Sequence, residues 1–148
     1  MRSDRKKKLQ HLLERQKTKV KVEYGALFEE CIEALGKGIK IYSLDKSKDL
    51  YQQFQNKVPF TSYTRIDWSK FQNYNPVQDL EEIVDKIDEY VVQIYWSYGN
   101  FPVLETKLER ILKAYDDVTV VSADTYLYVP NRFVIEIYHE GEITFGYL

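Results

Sequence analysis

The sequence predicts an α+β fold, with helices packed on one face of a mainly antiparallel sheet and a C-terminal half that runs β-α-β-β-β. Three observations predict it. Apolar and polar residues alternate over 90–96, 119–128, 132–138 and 142–147, the period of half-buried strands. Apolar residues recur at helical spacing over 26–35, 76–87 and 102–115. Short turn segments, Val129-Pro130-Asn131 and His139-Glu140-Gly141, join the last three strands as hairpins. A chain of 148 residues suits one domain, 1–148, with 1–22 as a basic N-terminal helical arm.

Taken in order, the arm places Leu9, Leu12, Leu13 and Gln16 at helical spacing over 4–17. A second helix fits Ala26–Leu35, with Leu27, Phe28, Cys31, Ile32 and Leu35 on one side, and Gly36 and Gly38 stop it. Residues 39–42 alternate as a short strand. A helix starting at Ser47 turns Leu50, Tyr51 and Phe54 inward and ends before Pro59. Residues 59–75 have no clear period and read as a long loop with a short strand near 66–68. Pro76 suits the first turn of a helix capped by Asn75, with Leu80, Ile83, Val84 and Ile87 as its stripe. Residues 90–96 form a strand with Val92, Ile94 and Trp96 on one face. Gly99-Asn100 turns the chain, and Pro102 opens a helix to about Tyr115 that buries Val103, Leu104, Leu108, Ile111 and Leu112.

Charge is unevenly distributed. Residues 1–22 hold nine Lys/Arg and two Asp/Glu, a net +7, whereas residues 76–148 hold five and fourteen, a net −9. An acidic body repels phosphate backbones and attracts basic proteins, so the partner expected is a protein, and nucleic acid is disfavoured. The lone Cys31 excludes an internal disulfide and a Cys-rich zinc cluster. No apolar run approaches the roughly 20 residues of a membrane span, and the basic start lacks the apolar run of a secretory signal. A cytoplasmic protein with no membrane association follows as the expectation.

Strand alternation also sorts the side chains by face. If Val121, Leu127, Phe133, Ile135, Ile137, Ile143 and Phe145 point at the helices, then Asp124, Tyr126, Tyr128, Glu136 and Tyr138 point away. That second face carries tyrosines and carboxylates without Lys or Arg, which suits a cationic protein surface better than RNA. The alternatives are an ordinary solvated face and one covered by the N-terminal half. Asp116-Asp117 is either turn chemistry at the end of the 102–115 helix or an acidic edge for a basic partner. The candidate partner-binding residues are therefore Asp116, Asp117, Asp124, Tyr126, Glu136 and Tyr138.

His139 lies between alternating runs, and Gly141 supplies a positive φ, so His139-Glu140-Gly141 reads as a hairpin tip. The other histidine, His11, sits on the arm, which leaves no multi-histidine metal site. There is no Gly-rich phosphate loop, HExxH, GxSxG or CxxC, so no catalytic residue, metal or cofactor is assigned. Two other readings stay open: a small enzyme using His139 with a carboxylate, and a nucleic-acid- or ribosome-associated protein using the basic arm.

Trp96-Ser97-Tyr98, the Leu-rich helix after it, Asp116 through Thr125, and Val134 through Thr144 resemble bacterial immunity proteins of contact-dependent growth inhibition and related polymorphic toxin systems. The likeness covers residues 90–148, with Arg65-Ile66-Asp67-Trp68 adding to it from the N-terminal half. It implies a small cytoplasmic binder of a cognate toxin C-terminal domain, often a nuclease, without catalysis of its own.

Overall fold

The computed structural model describes residues 24–62, 65–87, 91–97 and 100–148. The expected arm helix over 4–17 lies outside the described residues. The fold is α+β around a seven-stranded, wholly antiparallel sheet. In chain order the elements are α1 (Ala26–Leu35), β1 (Lys40–Ile41), α2 (Leu44–Lys57), a 3-10 turn (Trp68–Lys70), β2 (Tyr74–Val77), α3 (Glu81–Ile87) and β3 (Val91–Trp96). β4 (Leu104–Lys107), α4 (Leu108–Lys113), α5 (Tyr115–Thr119), β5 (Thr125–Val129), β6 (Phe133–Ile137) and β7 (Ile143–Tyr147) follow. The strand order across the sheet is β1-β4-β3-β5-β6-β7-β2, so β5, β6 and β7 form the expected meander. None of the helices among the described residues is long and apolar enough to cross a membrane.

One face of the sheet carries the main core. Val92, Ile94 and Trp96 of β3, Leu127 of β5, Phe133, Ile135 and Ile137 of β6, and Ile143 and Phe145 of β7 pack against Phe28, Cys31 and Leu35 of α1 and against Leu108, Ile111 and Val118 of α4 and α5. The alternation in the sequence requires this, because every second residue of those strands is apolar. Gly36 and Gly38 adopt φ of 78° and 91°, and Arg110 of α4 donates from Nη1 to the carbonyls of Leu35 (3.2 Å) and Lys37, closing the end of α1.

Four elements differ from the sequence expectation, the first being the short strand near 66–68, where Ile66 forms only an isolated bridge with Phe60 and Trp68–Lys70 is a 3-10 turn. Residues 104–107 are the strand β4, and the helix begins only at Leu108. Leu104 and Thr106 are buried at strand spacing, while Leu104, Leu108 and Ile111 also fit a helical stripe, so the apolar pattern alone satisfies both. Pro76 lies in β2 rather than opening a helix. It sits opposite Thr144 on the edge of the sheet, a position where a missing N–H can be tolerated. The expected 119–128 strand starts only at Thr125, because α5 occupies residues 115–119.

Helices also lie on both faces of the sheet, not on one. α2 brings Leu50 and Phe54, and the chain after it brings Val58 and Ile66, onto Tyr95, Tyr126, Tyr128 and Val134. Ser43 caps α2 by accepting from Lys46 N (3.2 Å), and Ser47 Oγ accepts from Val103 N (2.9 Å), which ties the helix to the start of β4. The tyrosine-rich face left open as solvated or covered is thus covered by the N-terminal half.

Candidate functional site

Covering the second face separates the six candidate residues into two groups. Asp124, Tyr126 and Glu136 are buried, with 5%, 3% and 1% exposure. Asp116 is exposed, and Asp117 and Tyr138 are half-buried. Alternation places side chains on a face, but only the covering layer decides whether that face meets water. The six residues do not form one surface patch: Asp116 and Asp117 lie on α5, whereas Glu136 and Tyr138 lie on β6 and just beyond it.

Asp116 and Asp117 follow the end of α4 as expected, but they do not lie in a connecting turn. The chain breaks at Ala114, and both residues fall in the first turn of α5, where a carboxylate is favoured by the helix dipole. α1 packs beside α5 and presents Glu29, Glu30 and Glu33 to the exterior. Burial, with the field of Asp117 added, pushes the Cys31 thiol up to about 12, so this sulfur stays protonated and unreactive at neutral pH.

Tyr126 lies inside an aromatic cluster. Phe54 stacks on Tyr95 (4.3 Å between centroids, 12° between planes) and meets Tyr126 at 5.7 Å and Tyr128 at 4.9 Å, and Phe60 meets Tyr126 edge-on at 5.5 Å. Three hydroxyls in this layer have named partners: Tyr42 donates to Glu105 Oε2 (2.6 Å), Tyr95 donates to Gln93 Oε1 (2.8 Å), and Tyr51 accepts from Trp96 N (3.1 Å). Burial pushes the Tyr51 phenol up to about 12, and burial and then the Glu105 carboxylate do the same for Tyr42. Much of the tyrosine excess is therefore core material with satisfied polar tips.

Asp124 fixes the hairpin tip. One oxygen, Oδ1, accepts from His139 N (2.8 Å) and lies 3.1 Å from His139 Nδ1. An ionised carboxylate only accepts, so the ring contact requires a proton on Nδ1. The tip closes with Tyr138 N to Glu142 O (2.8 Å) and Gly141 N to Tyr138 O (2.9 Å), and Gly141 has φ 95°. The hairpin reading of His139-Glu140-Gly141 is what the backbone adopts, with the His139 side chain 48% exposed. Among the described residues no group of three or more His, Cys, Asp or Glu is placed to hold a metal ion. His139→Ala is expected to keep the fold and cost about 0.5–1.5 kcal/mol, since the backbone bond to Asp124 survives. A denaturant titration checks this, and a loss beyond about 3 kcal/mol would show that the ring is a core support.

Glu136 gathers the segment that crosses the second face. Its carboxylate accepts from Arg65 Nη2 (3.0 Å), Ile66 N (2.8 Å) and Trp68 Nε1 (3.1 Å). Arg65 also stacks over the Tyr138 ring at 3.8 Å and reaches Glu142 at 3.5 Å. Burial opposes the Arg65 charge, but the hydrogen bond and field of Glu136 outweigh it and hold the guanidinium firmly protonated. Sequence reasoning gave Arg65 and Trp68 no role. Their only signal was that 65–68 joined the resemblance while lying in a stretch without periodicity.

A separate cleft of about 470 Å³ opens between α2 and the end of β3, lined among others by Ser47, Lys48, Tyr51, Gln52, Trp96 and Ser97. None of the six candidate residues lines it.

Comparison with curated proteins gives no match. The model of one protein family, described as CdiI immunity protein EcoliA0-like, matches residues 25–146, from the start of α1 to within β7. That span takes in β1 to β6 and β7 as far as Gly146, both covering layers, the Asp124–His139 hairpin tip and the Glu136 anchor, and the chain belongs to the CdiI immunity protein family, EcoliA0-like.

Proposed function

We propose that this immunity protein neutralises the C-terminal toxin domain of its cognate system in the cytoplasm by binding it through an acidic surface, and that the toxin is a basic nuclease. Family membership supports a toxin-neutralising, non-enzymatic role and a protein partner. The observation that carries the finer reading is charge: residues 76–148 hold five Lys/Arg against fourteen Asp/Glu. A nuclease must hold a polyanion and so presents cations, and a carboxylate surface can occupy them without any chemistry.

Within this reading Asp116, Asp117 and Tyr138 are the candidates for direct contact, because each reaches the surface, in two separate patches on α5 and at the end of β6. Asp124 and Glu136 act as supports that position the hairpin tip and the 65–68 segment, and Tyr126 sets the layer beneath them. Long-range attraction steers encounter, and exposed charges are screened beyond about 8–10 Å at moderate ionic strength.

Reversing both charges, Asp116→Lys with Asp117→Lys, is therefore expected to slow association about ten-fold at low salt and much less at high salt, while the protein stays folded with its melting transition lowered by a few degrees at most. Stopped-flow association rates across a salt series, paired with co-expression protection, measure this. A doubly reversed protein that associates and protects as the wild type does would place the contact away from α5. Failure of the wild type to bind any toxin domain at any salt would overturn the neutralisation reading.

A further inference from the structure

Resting on that reading, we propose that the centre of the partner contact is an aromatic platform formed by Trp68, Phe71 and Tyr74 beside the Arg65–Tyr138 stack, and that it receives a long-stemmed cation, a lysine or arginine, from the bound toxin domain. The platform is continuous. Trp68 lies 4.6 Å from Phe71 and 5.7 Å from Tyr74 between ring centroids, and the Trp68 and Tyr74 planes differ by only 25°. Tyr74 is 43% exposed on the edge strand β2.

Its rings are held in place before any partner arrives. The indole is fixed along its polar edge by Glu136 and on its ring side by Gly146 of β7, where a Cβ would sit 2.4 Å from the Trp68 ring. Glycine thus lets the indole lie directly on the sheet. Burying a carboxylate to hold a loop is a costly choice, since replacing buried ion pairs by apolar residues is often neutral or stabilising. Here the carboxylate takes three donors from one short stretch and so fixes where Arg65 and Trp68 point. Preorganisation of this kind lowers the ordering cost of binding, and Trp, Tyr and Arg are the residues that dominate binding energy at interfaces.

Charge selects the occupant. Residues 65–74 and 136–142 hold Asp67, Glu136, Glu140 and Glu142 against Arg65 and Lys70, a net acidic balance around electron-rich ring faces. Arg65 does not repel an incoming cation strongly, because Glu136 and Glu142 already pair with it. The Arg65 guanidinium over Tyr138 shows, within this same surface, the stacking that a partner cation would repeat on Trp68 and Tyr74.

The experiment titrates the full-length protein and three Tyr74 variants with the purified toxin domain against which the wild type protects. Tyr74→Lys is expected to weaken binding about ten-fold or more, Tyr74→Ala less, and Tyr74→Phe hardly at all, with a cooperative melting transition kept by all three. Hydrogen exchange on the wild-type complex should protect residues 65–74 and the hairpin tip. Wild-type affinity in Tyr74→Lys, or protection confined to α1 and α5, overturns the platform while leaving the neutralisation reading intact. Absence of binding by the wild type overturns both.

Discussion

Ile137→Asp unfolds the protein. Ile137 is 4% exposed in the main core, and its strand β6 lies between β5 and β7, where it pairs with Thr125 and Ile143. The substitution removes an apolar side chain worth about 2–5 kcal/mol and buries a carboxylate with no partner on that face, a further penalty of several kcal/mol. A domain of this size has only about 5–15 kcal/mol of net stability to lose. Circular dichroism should show no cooperative thermal transition, whereas Ile137→Val should melt near the wild-type temperature. A cooperative melt for the aspartate variant close to wild type would mean that this face of β6 is not in the core.

Glu136→Ala is expected to cost about 3–5 kcal/mol, the usual penalty for removing one partner of a buried ion pair. The Ile66 N–H, in a residue only 3% exposed, and the Trp68 Nε1–H both lose their acceptor, and the Arg65 guanidinium turns to Glu142 and water. Guanidinium unfolding should show a lower midpoint, and tryptophan emission should shift to the red as the indole loosens. Glu136→Gln should fall between the two, because an amide retains one accepting oxygen for the three donors. A midpoint equal to wild type for Glu136→Ala would show that the 65–68 segment is held by packing alone.

Local pattern made the strands legible. Every second residue of β3, β5, β6 and β7 is apolar because the main core face demands it, and α1 shows a 3.6-residue stripe ended by two glycines. What was illegible depends on distant parts of the chain. The Leu104-Glu105-Thr106-Lys107 stretch fits either period, and its pairing with both β1 and β3 makes it a strand. Pro76 is good helix-start chemistry, and its place on the sheet edge comes from β7, far along the chain. The same holds for the site. Alternation put Tyr126 and Glu136 on the second face, but nothing near them in sequence says that α2 and the 65–68 segment cover that face. A buried carboxylate with donors some seventy residues away looks, in sequence, like a solvated one.

The strand order has a consequence for how the chain reaches its native state. The outermost strands, β1 and β2, come from the N-terminal half, while β3 to β7 fill the interior of the sheet. Among the described residues β2 pairs with β7 alone, with Tyr74 opposite Gly146 and Val77 opposite Ile143. During synthesis residues 74–77 therefore wait, unpaired, until β7 has been made. Long-range pairings impose loop-closure entropy before they return contact energy, which puts such topologies in the slower, millisecond-to-second class of folding. The β5-β6-β7 meander, like the shorter β3-β4 pair, can assemble from sequence-local hairpins. It should serve as the nucleus, with β1, β2 and α2 docking afterwards, and mutations in it should slow folding more than mutations in α2 do.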